Sequence, residues 1–304
     1  MMLRATQPEM HTHLGMLRAM STLAALCPTR LRTRCGRSGV TSLTRAVAVA
    51  AAAGAALMAG TAAVAEALPG SEAHGPWVAV AGVYGDGHVA DFTAADAPAP
   101  GVSILQPSPD GTSLLCTAGW AVMSARHDVG YLTAGHCDQD DGAPLWMYTD
   151  VNGEHRMSLL PLQNAERGTD ADGHAYDAAL FFLTPQQQAR GFGTDVADGV
   201  RLRGVLSVEQ VQTLPRGTPI CMHGSRSGIT CGPLLAAGSD ELLWGSAAVK
   251  GDSGAPVFVV NADGDALAIG TLSGGPSREK NYATYLAPVL DRLKLRAIIE
   301  QDDQ

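Results

Sequence analysis

Gly251-Asp252-Ser253-Gly254-Ala255-Pro256 runs directly into Val257-Phe258-Val259-Val260. A glycine-flanked turn feeds a short, wholly apolar strand over residues 256–260, and Asn261-Ala262-Asp263-Gly264, with three turn formers in four residues, closes it. The same pattern recurs outward from this stretch, with further strands predicted over residues 116–123, 129–133, 177–183, 219–223 and 266–272. No long helical pattern separates them, which points to antiparallel barrels or sandwiches and away from a βαβ sheet. Only the end differs. Val289, Leu290, Leu293 and Leu295 fall near helical spacing and predict a C-terminal helix over residues 288–299.

Composition agrees with a β-rich body. The 304 residues are 46 % hydrophobic and 17 % charged, with 35 Gly and 17 Pro, enough for one large domain or two small ones plus a leader. Charge is unevenly placed. Residues 1–65 hold seven arginines and a single acid, Glu9; removing them from totals of 21 and 30 leaves 14 basic and 29 acidic residues, a net of −15. So acidic a body repels phosphate backbones, and no nucleic-acid partner is expected. Within the leader, a basic stretch from Arg30 to Arg45 precedes the Ala-rich run of residues 46–65, which ends in Ala63-Val64-Ala65. That is the pattern of a cleaved secretory signal. Its rival is a retained membrane anchor, although Ala and Gly drive insertion far less than Leu or Ile. Residues 66–100 are rich in Ala, Gly and Asp and read as a pro-segment or linker.

Export changes how the cysteines are read. Cys27 and Cys35 would leave with the signal, and Cys116, Cys137, Cys221 and Cys231 remain. An even number in an oxidising compartment predicts two disulfides, and neighbours in sequence suggest Cys116–Cys137 and Cys221–Cys231. Each would stabilise the fold by about 3 kcal/mol. A zinc site from Cys116, His136, Cys137 and His223 is the rival, but no CxxC spacing supports it. Asp138, Asp140 and Asp141 lack the bidentate acid of a calcium loop. No metal and no cofactor is expected.

Three segments carry chemistry together: Thr133-Ala134-Gly135-His136-Cys137, Tyr176-Asp177-Ala178-Ala179-Leu180, and the opening stretch. A serine hydroxyl is a poor nucleophile until a base takes its proton and donors stabilise the oxyanion. Glycines around Ser253 let the backbone N–H groups of Gly251 and Ser253 converge on one point. Asp177 opens a very apolar run, where a carboxylate needs a hydrogen-bonding partner; Asp170 and Asp172 compete but lead into no such strand. An imidazole N–H is such a partner, and it fixes the tautomer that leaves the other ring nitrogen basic.

In the order His136, Asp177, Ser253, these segments resemble the motifs of the chymotrypsin-like serine proteases. The likeness is nearest to the bacterial secreted branch of streptogrisins and alpha-lytic protease, and it covers about residues 101–300. The stretch from Ile220 to Gly232 is similar to that branch's disulfide loop, with Ser227 where threonine is usual. Asn281 to Pro288 resembles its run into the terminal helix. The resemblance implies an all-β fold, two antiparallel six-stranded barrels with a short C-terminal helix over residues 101–304. It implies a secreted serine endopeptidase acting on peptides or proteins as a monomer, with His136 as base, Asp177 orienting it and Ser253 as nucleophile. Ser273-Gly274-Gly275 would pair with substrate backbone. Ala247, six residues before Ser253, would floor the specificity pocket, so no trypsin-like preference is expected and a small or medium apolar side chain suits better. Asp252 would need a cationic partner; Met222 stands where the branch usually has arginine, leaving Arg226 or a freed amine. A catalytically silent, peptide-binding relative is the competing reading.

Overall fold

The computed structural model describes residues 74–80, 89–108, 111–140, 142–171, 173 and 175–299. The signal or anchor expected over residues 1–65 lies outside the described residues, as do Asp141 and Asp172.

In the first half, antiparallel ladders join β1 (Ser103–Pro107) to β2 (Ser113–Thr117) and β3 (Ala121–Ser124) to β4 (Val129–Thr133). Others join β5 (Leu145–Tyr148) to β6 (Arg156–Leu159) and β7 (Gln163–Thr169) to β8 (Ala175–Phe182). Ladders β1–β5 and β4–β8 connect these pairs. The chain passes from β2 to β3 through Ala118-Gly119-Trp120 and from β6 to β7 through Leu160-Pro161-Leu162. Counted as two bent strands, these close a six-stranded ring. Corners of this kind let one strand serve two sheets. The strand expected over residues 116–123 is therefore broken in its middle. The cause is tertiary: Trp120 is buried and its indole N–H donates to Gly270 O at 2.8 Å in the second half of the molecule.

The second ring follows from β9 (Arg201–Val205), β10 (Pro219–Gly224), β11 (Gly228–Ala237), β12 (Glu241–Trp244), β13 (Pro256–Val260), β14 (Asp265–Ser277) and β15 (Lys280–Tyr285). Six of them close in the order β13-β10-β11-β12-β15-β14 and back to β13, while β9 lies parallel along the outside of β14. Every residue of β13 is buried, as its unbroken apolar run requires. The turn after it is an Asx turn: Asn261 Oδ1 accepts from Asp263 N and Asp265 N, both at 3.0 Å. Each ring has its own core, around Tyr131, Met147 and Phe181 in the first and Trp244, Val257 and Tyr285 in the second. A third cluster, with Trp120, Leu132, Leu180, Phe258 and Leu286, joins the two.

Among the described residues, α-helix is confined to α1 (Pro185–Arg190), α2 (Val208–Gln212) and α3 (Leu286–Leu293). The C-terminal helix is shorter than the spacing predicts. Lys294 takes a left-handed conformation with φ of 53°, which ends it. Leu295, counted above as helical, instead begins β16 (Leu295–Ala297), which pairs antiparallel with β3. The segment before the barrels lies along them. Val78 N donates to Val260 O, Ala90 N to Arg226 O and Ala95 N to Tyr148 O. Phe92 packs on Tyr148, with ring centroids 4.1 Å apart.

Candidate active site

The site is assembled from both barrels. β4 ends in a single 3-10 turn over Gly135–Cys137, and this turn carries His136. The Cys116–Cys137 disulfide ties the turn to the end of β2. From β8, Asp177 meets it twice: Oδ1 accepts the backbone N–H of His136 at 2.9 Å and Oδ2 lies 2.7 Å from Nδ1. Ser273, on β14, donates its hydroxyl to the same Oδ2 at 2.9 Å. Asp177 is only 2 % exposed. Burial pushes its carboxyl up, but the side-chain hydrogen bond and charge of His136, its backbone N–H and the Ser273 hydroxyl together hold it below the ordinary aspartate value. With Nδ1–H directed at a carboxylate, Nε2 is the basic nitrogen. The ring is 28 % exposed, so that one face meets solvent.

Ser253 sits in the loop before β13. Its carbonyl accepts from Thr117 N at 2.8 Å and lies 4.0 Å from Cys137 Sγ, which sets the backbone of Ser253 against the His136 turn. Gly254, at φ of 90°, makes this approach possible: a Cβ there would fall 2.1 Å from Thr133 Oγ1. The N–H groups of Gly251 and Ser253 meet no acceptor among the described residues, whereas Asp252, Gly254 and Ala255 all donate to backbone carbonyls. Two free donors flanking a serine are the elements of an oxyanion site.

Asp252 is fully buried, and among the described residues no Lys or Arg side chain bonds to its carboxylate. Oδ1 accepts from Arg226 N at 2.9 Å and Ser227 N at 3.0 Å; Oδ2 accepts from Ser227 Oγ at 2.5 Å and Val249 N at 2.7 Å. Four donors replace the expected ion pair, in keeping with the rule that a buried charge must be fully hydrogen-bonded. Arg226 contributes only its backbone. Its guanidinium turns the other way, Nε to Ala90 O and one terminal nitrogen to Lys250 O, both at 2.9 Å. Met222 is buried in the second core. Ser227, which looked like a weaker match to the motif, is thus a ligand of the carboxylate.

Beside Ser253 opens a cleft of about 580 Å³, walled by Ala248, Leu272, Gly274, Gly275 and Asn281 and edged by Val89, Ser277 and the cations Arg226, Lys250 and Arg278. Ala247, expected at its floor, is exposed and outside the lining; its carbonyl accepts from Thr230 Oγ1 at 2.8 Å. The next residue, Ala248, takes that place. Asn281 is anchored by Nδ2 to Ser246 O at 2.6 Å. Gly274 and Gly275 line the cleft, while Ser273 turns inward to Asp177. The second disulfide, Cys221–Cys231, joins register partners on β10 and β11. Cys116, His136 and Cys137 cluster tightly enough to suggest metal ligands, but both sulfurs are committed to a disulfide.

No protein-family model matches the chain, and no curated protein does. Solved structures do. A Nocardiopsis protease is 21 % identical over 67 % of this chain and 99 % of its own, with a TM-score of 0.44. A chymotrypsin of Cellulomonas bogoriensis gives 22 %, 66 %, 98 % and 0.43 in the same order. The protease Anisep of Arthrobacter nicotinovorans gives 17 %, 65 %, 92 % and 0.41. The strand order itself decides the architecture, two six-stranded antiparallel barrels with His136 and Asp177 on the first and Ser253 on the second. The fold is chymotrypsin-like.

On that fold, Arg278 and Asn281 are the cleft residues that sequence reasoning missed. Lys250 ends the segment Ala247-Ala248-Val249-Lys250 that the resemblance implies forms the pocket, and it does line the cleft. Arg278 and Asn281 reach the cleft only because the β14–β15 turn folds back: Ala248 N donates to Arg278 O at 2.9 Å.

Proposed function

We propose that the chain is an exported serine endopeptidase working through Ser253, His136 and Asp177. The observation that carries this is the buried Asp177–His136 pair, held by two hydrogen bonds and braced by Ser273. It presents a basic Nε2 on the face of a turn that packs against Ser253. In this mechanism His136 takes the Ser253 proton as Oγ attacks the scissile carbonyl. The N–H groups of Gly251 and Ser253 hold the oxyanion, and Asp252, fixed by its four donors, keeps them aimed. His136 then returns the proton to the leaving amine, and the acyl group stays on Ser253. Water repeats the sequence and frees the acid. Asp177 orients the ring and stabilises the imidazolium without itself taking a proton.

Export by the basic and Ala-rich leader, with removal of residues 1–65, fits the two disulfides. Residues 66–100 act as a pro-segment, and Val89 at the edge of the cleft gives that segment a direct route to substrate binding. Specificity is not for Arg or Lys: among the described residues no carboxylate lines the cleft. The mature enzyme is a monomer. A fluorophosphonate probe tests the reading, with labelling expected in the wild-type protein and absent in Ser253→Ala and His136→Ala. A folded wild-type protein that neither takes the probe nor cleaves a peptide library would refute it.

A further inference from the structure

The cleft beside Ser253 carries charge of one sign. Arg226, Lys250 and Arg278 line it and no Asp or Glu does among the described residues, although the whole chain has 30 acidic residues against 21 basic. A random patch of so acidic a protein would be expected to lean the other way. The three cations are also not equivalent. Arg226 is tied to Lys250 O and, while residues 66–100 remain attached, to Ala90 O. Lys250 and Arg278 are exposed, and their charged ends meet no partner among the described residues.

Arg278 has a fixed base. Its own carbonyl is bound by Ala248 N–H, and the flanking Ser277 and Lys280 are register partners at the tip of the β14–β15 hairpin. An uncommitted guanidinium on an anchored turn, at the mouth of a cleft whose wall is Ala248 and Leu272, is the arrangement that receives a carboxylate in a bidentate contact. A deeper charge would find no partner on those apolar side chains. The wall suits the methylenes of a side chain and the mouth suits its acid group.

Building on the protease reading above, we propose that this cleft selects a glutamate or aspartate side chain on the acyl side of the scissile bond. Arg278 is the main specificity-determining residue and Lys250 adds to it. The apolar preference drawn from Ala247 gives way, since that residue is not in the cleft.

Three peptides differing only in the residue before the cleaved bond, Glu, Gln or Leu, provide the test, read as kcat/KM at low salt. Glu is expected to exceed its neutral isostere Gln by about tenfold, equivalent to about 1.4 kcal/mol, and the ratio should shrink as salt screens the charges. Arg278→Ala should bring the Glu-to-Gln ratio close to one, and Arg278→Lys should restore part of it. Equal turnover of Glu and Gln by a protein that the fluorophosphonate labels would overturn the inference alone. So would a Glu preference that survives in the double variant Arg278→Ala, Lys250→Ala. Failure of labelling and of all three peptides would instead sink the protease reading, and this proposal with it.

Discussion

Replacing Gly224 by alanine is the sharpest perturbation of the site that leaves its chemical groups untouched. A Cβ at that position would stand 2.4 Å from Asp252 Oδ1 and 2.5 Å from its Cγ, well inside contact distance. Gly224 ends β10, whose backbone is paired with β11, so the carboxylate has to move. It then loses geometry to some of its four donors, Arg226 N, Ser227 N, Ser227 Oγ and Val249 N. A hydrogen bond to a charged group contributes about 1.5–3 kcal/mol, so losing one or two costs about 2–5 kcal/mol. In a domain of this size that lowers Tm by roughly 5–15 °C. Activity should fall further than stability alone accounts for. Asp252 lies between Gly251 and Ser253, and shifting it misaims the two N–H groups that we propose hold the oxyanion. Loss of one such donor costs about 10²–10³ in kcat. Calorimetry and steady-state kinetics on the purified variant read both effects, at a temperature where it remains folded. If Gly224→Ala melts with the wild type and cleaves at the wild-type rate, Asp252 is not the support of the oxyanion site that we describe.

Ser227→Ala is the milder version, removing a single donor at 2.5 Å and costing about 1.5–3 kcal/mol by denaturant titration. Asp177→Asn keeps the shape of the triad but lets the ring settle in the wrong tautomer; kcat is expected to drop about 10⁴-fold in a stopped assay, with substrate affinity little changed. Because Asp177 titrates below its unfolded value near 3.9, its contribution to stability is complete above that pH and disappears as pH falls through the folded value. Melts of wild type and Asp177→Asn should therefore differ most near neutrality and converge towards pH 2. Replacing Cys116 and Cys137 together by serine opens a loop of 21 residues and should cost about 3 kcal/mol of stability, together with turnover, since the His136 turn loses its tie to β2.

The sequence was most informative where a residue's neighbours constrain it. His136 beside a cysteine, Asp177 at the head of an apolar strand and Ser253 between glycines were all visible in the sequence. The structure brings them into one region, with Asp177 on His136 and Ser253 against the His136 turn. The strand over residues 256–260 and the turn after it were equally plain, because both rest on local preference. What escaped depends on distant contacts. The bend at Gly119 follows from Trp120 reaching Gly270 across the molecule. Sequence reasoning looks for the partner of Asp252 among cations, but three backbone N–H groups, which leave no mark in a sequence, and the Ser227 hydroxyl hold it. The step from Ala247 to Ala248 at the cleft wall is one residue of register, beyond what motif spacing resolves. Arg278 and Asn281 come to the cleft through a hairpin that only the tertiary fold brings back.

β16 has a consequence for how the molecule is made. The last described strand lies on β3, near the start of the first barrel, and α3 beside it joins the cluster that cements the two barrels. A chain emerging from the ribosome cannot complete that seam until Leu295–Ala297 are free to pair with β3. The groups that we read as base and nucleophile are likewise separated by more than a hundred residues of synthesis. The seam that holds these groups together accordingly cannot form until residues 286–297 have been synthesised and have docked on the first barrel.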